Sequence, residues 1–288
     1  MNSFLPATLL GTEVRKLTSN YVDQEYRISI ALPYSYADKD AAERNYPTIY
    51  LLDADWYFGT ISEITRITAS GGSLPETIVI GIGYPVAGTL KESVTEHLGL
   101  RTRDYTDVAN TAVTNTDVPD KTEDGGQKRE KSSATIASGG AGQFRQFIQK
   151  ELMPFVASEY RTDSANQILV GHSLGGLFAL YTLFHEPSLF QGVVAASPSL
   201  WHGDHAIFAT ENAYAQKASD LPAKLYLSVG QKEEGPKTRM VSNLFRFSAL
   251  LKSREYNQLT VKNQFFDDLD HREATMPGFQ FGLTWIFS

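Results

Sequence analysis

The sequence predicts an α/β fold, a mostly parallel central sheet flanked by helices, and three observations predict it. Strand-like and helix-like segments alternate along the whole length. The central strand-like runs are densely apolar and rich in β-branched residues, as strands covered on both faces are. A glycine-rich turn, GHSLGG, joins one such run directly to an apolar helical run. With 288 residues, 42% hydrophobic and 20% charged, the chain can bury a large core. A single domain over residues 1–288 is expected.

The elements follow in order. EYRISIALP, residues 25–33, alternates well enough for an early half-exposed strand, closed by Pro33. YPTIYLLDA (46–54) and ETIVIGIGY (76–84) read as buried central strands, with room for a short helix over 57–69 and a stop at SGGSLP (70–75). From 144 to 160, Phe144, Phe147, Ile148, Leu152, Phe155 and Val156 recur at three and four residues, which predicts an amphipathic helix kinked or restarted at Pro154. ILVG (168–171) is a strand end and LFALYTLF a helix; GVVAASP (192–198) and AKLYLSVG (223–230) are further strands. A helix over 240–253, a strand LTVKNQFF (259–266) and an apolar terminal segment complete the series. One stretch breaks it. Residues 106–142 carry few large apolar side chains, which predicts a polar surface insertion, either disordered or a wall beside the functional site.

Composition excludes several function classes. The net charge is -7, from 26 basic and 33 acidic residues, and no basic block stands out, so no nucleic-acid partner is expected. There are no cysteines, which rules out disulfides, a thiolate nucleophile and a cysteine-ligated metal. No apolar run reaches the roughly 18 residues of a membrane span. The N-terminal MNSFLPATLLGTEVRK lacks the pattern of a secretion signal, so a cytoplasmic location is expected.

The chemistry centres on Gly171-His172-Ser173-Leu174-Gly175, a G-x-S-x-G turn. Glycines at 171 and 175 let the backbone reverse sharply and lift the Ser173 hydroxyl clear of the sheet, and Gly176 lets the helix pack closely. The N-terminus of the following helix offers the Leu174 N–H to a developing oxyanion. A nucleophilic serine needs a base. His271 fits, in a late loop between a strand and the terminal segment, where it can come within about 3 Å of the serine. His172 shapes the nucleophile's surroundings, His185 caps or faces solvent, and His97 is placed in a loop that could form a substrate wall. His202 and His205 have no evident third ligand, so no metal is expected. The acid that orients the base should lie between them in the chain and end a strand, which leaves Glu233, Glu234 and Asp204. The second oxyanion donor should be a backbone N–H of Asp55 or Trp56, with Asp53 holding the turn.

These pieces resemble the "putative esterase" family of α/β-hydrolases, which groups esterase D-like, siderophore-esterase-like and feruloyl-esterase-like enzymes with mycolyltransferases. YPTIYLLDADWYF, IVIGIGYP, RTRDYT, ELMPFVASEYRTD, ILVGHSLGGLFALYTLFHEPSLF, ASPSLWH, LYLSVGQKEE and DHREATMPG carry the resemblance across nearly the whole chain. It implies the α/β-hydrolase fold, Ser173 as nucleophile and His271 as base. The family's G-x-x-E falls on Gly230 to Glu233, which implies Glu233 as the acid. Its oxyanion loop falls on Leu51 to Ala54, with Ala54 in place of the usual glycine, which implies Asp55 as the second donor. Arg103, Asp104 and Tyr105 match its R-x-x-D-Y element, and Ser197 to Trp201 its S-P-S-x-W; with Trp56 and His172 these are expected to support or line the pocket. The family's glycine-glutamate before the histidine is replaced here by DLD.

The expected activity is a serine carboxylic-ester hydrolase working through an acyl-enzyme, without cofactor, on a small-molecule ester. A short-acyl ester is the first expectation. A siderophore trilactone or feruloyl-type ester, an acyl transfer or thioester hydrolysis with the same triad, and a non-catalytic binding protein are the alternatives.

Overall fold

In the computed structural model, which describes residues 8–86, 88–108 and 137–288, eight strands form one mixed sheet. They are β1 (Thr12–Ser19), β2 (Gln24–Ala31), β3 (Tyr46–Leu51), β4 (Ile78–Gly83), β5 (Thr162–His172), β6 (Gly192–Ala196), β7 (Asp220–Gly230) and β8 (Asn257–Phe266). Their order across the sheet is β1-β2-β4-β3-β5-β6-β7-β8. β2 runs antiparallel to both its neighbours, β1 and β4, and β3 through β8 are mutually parallel. This is the α/β-hydrolase architecture, as the sequence predicts.

Side-chain alternation explains why the central strands look continuously apolar. In β3, Ile49 and Leu51 face one core layer, while Tyr50 and the following Leu52 face the other. Leu169 opposes Ile168 and Val170 in the same way along β5, and Val193 and Ala195 oppose Val194 and Ala196 along β6. Each of these positions is therefore buried, on one face or the other. Helices α1 (Ala54–Ser70) and α8 (Thr275–Ile286) cover one face through Ile61, Phe279, Leu283 and Ile286. The other face carries α2 (Leu90–Tyr105), α3 (Ala141–Phe147), α4 (Met153–Glu159), α5 (Leu174–His185), α6 (His202–Ala215) and α7 (Met240–Arg254).

Several boundaries differ from the sequence expectation for physical reasons. The helix expected over 57–69 is 17 residues long and begins at once after the β3 turn. The amphipathic run from 144 is continuous in direction but contains a π turn over Ile148–Leu152 just before Pro154. A proline has no N–H to close the regular helical bond, and the wider turn accommodates it. Strand β1 is mostly solvent-exposed, so it carries no apolar alternation; it is held by its full register with β2.

Helix α2 overturns the placement of His97 in a loop. A capping box starts this helix: the Glu92 N–H donates to Thr89 Oγ1, and the Thr89 N–H to the Glu92 carboxylate. Its buried residues are Ser93, His97, Arg101, Thr102, Asp104 and Tyr105, all but the last polar or charged by hydropathy, so hydrophobic periodicity is silent about it. Most of the polar segment expected as an insertion, residues 109–136, lies outside the described residues. Its flanks meet: the Gly140 N–H donates to the Arg103 carbonyl at 2.8 Å, and the Ala141 N–H to the Thr106 carbonyl at 3.0 Å.

Candidate active site

Parallel strands place all their C-terminal ends along one edge of the sheet, and that edge gathers the predicted residues. Asp55 follows β3, Ser173 follows β5, Glu233 follows β7 and His271 follows β8. The β5–α5 turn is as sharp as G-x-S-x-G requires. Ser173 adopts φ 59°, ψ −118°, a conformation that L-residues rarely hold. It is fixed there by its N–H to the Ala196 carbonyl at 3.0 Å and by its own carbonyl, which accepts from Leu177 and Ser199. A Cβ at Gly171 would stand 2.3 Å from the Gly175 carbonyl oxygen, so only glycine permits the reversal. Gly176 lets α5 approach to where a Cβ would meet Pro198 Cα at 3.1 Å.

Glu233 and His271 meet directly. Glu233 Oε2 is 2.6 Å from His271 Nδ1, and Oε1 accepts from the Gly230 N–H and the Ser197 hydroxyl, each at 2.6 Å. The Glu233 side chain is fully buried, whereas that of His271 is 40% exposed, so the pair has a sheltered acid and a reachable imidazole. A carboxylate only accepts, so Nδ1 carries a hydrogen. Glu234 turns away to the Ser242 N–H and hydroxyl, which hold its carboxyl below the usual range. Asp204 points into solvent.

The DLD that replaces the family's residues before the histidine has a structural role. Asp270 Oδ1 accepts from the N–H groups of Arg272 and Glu273, and the Asp270 N–H donates to Glu273. The loop also lies on the Glu233 turn, since the Lys232 N–H donates to the Leu269 carbonyl at 3.1 Å.

Ser173 Oγ has a different partner, Ser199 Oγ at 3.3 Å, and no hydrogen bond joins it to His271. The S-P-S-x-W turn thus touches two of the three residues, through Ser199 on Ser173 and Ser197 on Glu233. Asp55 and Leu174 are both first-turn residues, whose N–H groups a helix leaves without an intrahelical partner. The Asp55 carboxylate is tied to Arg27 at 2.5 Å, to the Tyr84 N–H at 3.0 Å and to His97 at 3.3 Å, which immobilises its peptide. His97 is therefore buried behind the turn rather than part of a substrate wall.

Arg101 is the residue that sequence reasoning missed. It grips Asp53 with two 2.8 Å bonds under the β3–α1 turn and reaches the His172 carbonyl at 3.4 Å. Asp53 itself is left-handed, φ 54°, and its N–H donates to the Tyr105 hydroxyl at 3.1 Å. Burial opposes the charge of Arg101, but Asp53 outweighs it and raises the pKa. The signal was present: the R of R-x-x-D-Y falls on Arg101, two residues before Arg103. Arg103 instead pairs with Asp104, which also accepts from the hydroxyls of Tyr26 and Tyr84.

Trp56 is exposed, with the Arg101 guanidinium 5.6 Å from its ring centre, and Trp201 is half-buried. His172 is buried, and its ring packs against that of His271 at 4.4 Å. His202 and His205 flank left-handed Gly203 and Asp204. Among the described residues no group of three or more acidic or histidine side chains could hold a metal ion.

The family description "Putative esterase" matches residues 93–285. The chain belongs to this family of α/β-hydrolases. The esterase is 33% identical over 242 residues to the ferri-bacillibactin esterase BesA of Bacillus subtilis (strain 168), covering 82% of this chain and 75% of that one. It is 30% identical over 291 residues to the siderophore enterobactin esterase of Emericella nidulans, covering 92% and 90%. Among solved structures it is similar to the BES protein from Bacillus cereus, with a TM-score of 0.78, 26% identity and 99% of each chain covered. The protein is thus a serine esterase of the siderophore-esterase-like group. Among its described residues no helix is long and apolar enough to cross a membrane.

Proposed function

We propose that the esterase hydrolyses the ester bonds of a siderophore, free or iron-loaded, through an acyl-enzyme on Ser173. The observation that carries the substrate is similarity over most of the chain to two siderophore esterases, one bacterial and one fungal. It displaces the short-acyl ester that the sequence alone favoured. The 2.6 Å contact of Glu233 with His271, beside a strained serine, supports the chemistry.

In this mechanism Ser173 rotates from Ser199 toward His271, whose Nε2 removes the hydroxyl proton as Oγ attacks the ester carbonyl. The N–H groups of Asp55 and Leu174 receive the oxyanion. Glu233 stabilises the imidazolium, which returns the proton to the leaving alcohol as the C–O bond breaks. Water, deprotonated by the same imidazole, then releases the acid and restores Ser173.

The test compares kcat/KM for enterobactin, with and without ferric iron, against p-nitrophenyl acetate and butyrate. At least a tenfold preference for the siderophore is expected, by roughly 1.4 kcal/mol of added transition-state binding. Equal or better turnover of the short-acyl esters would overturn the substrate assignment. Ser173→Ala should lose activity on both by about 10³-fold or more and take no fluorophosphonate label; retained labelling would overturn the nucleophile.

A further inference from the structure

His172, the residue before the nucleophile, connects the elbow to the main chain of the base. Its Nε2 lies 2.9 Å from the His271 carbonyl oxygen, and its Nδ1 lies 3.3 Å from the Tyr57 hydroxyl. A carbonyl can only accept, so Nε2 carries a hydrogen. Burial, then the neighbouring His271 and Arg101, hold the His172 pKa well below its ordinary value, so the ring is neutral. With one proton, placed on Nε2, Nδ1 is the acceptor and the Tyr57 hydroxyl donates to it. Burial, and next the charge of Asp53, push the Tyr57 pKa up to about 12, which keeps that hydroxyl protonated.

The chain of contacts therefore has one direction, from Tyr57 O–H to His172 and from His172 N–H to the His271 peptide. Thr275 Oγ1 adds a weaker bond to the same carbonyl at 3.2 Å. Glu233 fixes the His271 ring at Nδ1 but does not fix its backbone, which sits in the loop between β8 and α8. A ring held at one nitrogen can still swing as its loop shifts, and a misplacement of about 1 Å can cost about 10²-fold in rate.

We propose that His172 is a positioning residue whose Nε2–H ties the His271 peptide to the end of β5 and sets where the His271 Nε2 stands relative to Ser173 Oγ. This rests on the catalytic reading of Ser173 and His271 given above. It assigns the histidine of the elbow a task distinct from lining the pocket: the same strand end then aims both nucleophile and base.

Two substitutions of similar length separate the hydrogen bond from space-filling. In His172→Gln the amide nitrogen reaches the position of the imidazole Nε2 and can still donate; in His172→Met the length is kept and the donor is lost. The expected result is a kcat for His172→Met about 10- to 100-fold below wild type with KM within about twofold, and His172→Gln within about threefold of wild type. The rate of fluorophosphonate labelling should follow kcat. Equal kcat for the two variants, wild-type kcat in His172→Met, or a change in KM alone would overturn the proposal.

Tyr57→Phe is the gentler second variant should His172→Met fail to fold. It removes the donor that selects the His172 tautomer, and an approximately threefold fall in kcat is expected, in line with loss of one net hydrogen bond; an unchanged kcat overturns the proposal. Ser173→Ala, assayed alongside, distinguishes the two claims. If it is inactive while His172→Met is normal, only the role of His172 fails. If it is active, the catalytic reading itself fails.

Discussion

Ser173 holds φ 59°, ψ −118°, which costs a non-glycine residue of order 1–3 kcal/mol and persists only because its surroundings enforce it. The enforcement is visible in the bond its N–H donates to Ala196 and in those its carbonyl accepts from Leu177 and Ser199. Glu233 shows the same economy of purpose: each carboxylate oxygen is already occupied, one by Gly230 and Ser197, the other by His271. In the mechanism proposed above, its charge stabilises the imidazolium that forms during proton transfer. Glu233→Gln keeps the shape but replaces the ion with a neutral amide that can also favour the wrong tautomer. Steady-state kinetics should show kcat lower by about 10²- to 10⁴-fold with little change in KM. A loss below threefold would remove Glu233 from the mechanism.

At the scale of elements, the strand β5, its turn and α5 form the unit on which Ser173, the proposed nucleophile, depends. The turn closes because nothing stands between Gly171 and the Gly175 carbonyl oxygen, where a Cβ would approach to 2.3 Å. Gly171→Ala must push α5 off the strand. Urea denaturation is expected to show a loss of about 1–3 kcal/mol from overpacking, together with slower fluorophosphonate labelling. Unchanged stability and labelling would show that the turn relaxes freely. Elements with an apolar face were legible in the sequence, since burial imposes a period of two or of 3.6 residues. Helix α2 was not, because its inward residues include His97, Arg101 and Asp104, which hydropathy reads as surface. Its Thr89–Glu92 capping box was the available signal.

For the whole molecule, the buried neutral His172 links stability to pH. Its folded pKa lies well below that of an unfolded histidine, about 6.5. Below pH 6.5 the unfolded chain therefore binds a proton that the folded chain refuses, so stability falls as pH falls. At pH above that value both states are neutral and the effect vanishes. His172→Gln, which cannot take the proton, should lose less of its Tm between pH 7.5 and 5.5 than wild type does, as read by thermal unfolding across that range. Parallel slopes for the two proteins would place the acid sensitivity elsewhere.

The sequence by itself determined the α/β class and the strand-turn-helix around Ser173, and it supplied the proposed chain order of serine, acid and histidine. Those follow from local spacing: apolar periodicity writes the elements, and glycines write the turn. It narrowed the acid to a few residues, and only the fold shows Glu233 in contact with His271 while Glu234 turns to Ser242. Likewise only the fold brings Arg101 under Asp53, Ser199 beside Ser173, and His172 against the peptide of His271. These are polar contacts between residues up to 99 positions apart. Such contacts have no period in the sequence, because they arise when parallel strands deliver their C-terminal ends to one edge of a sheet.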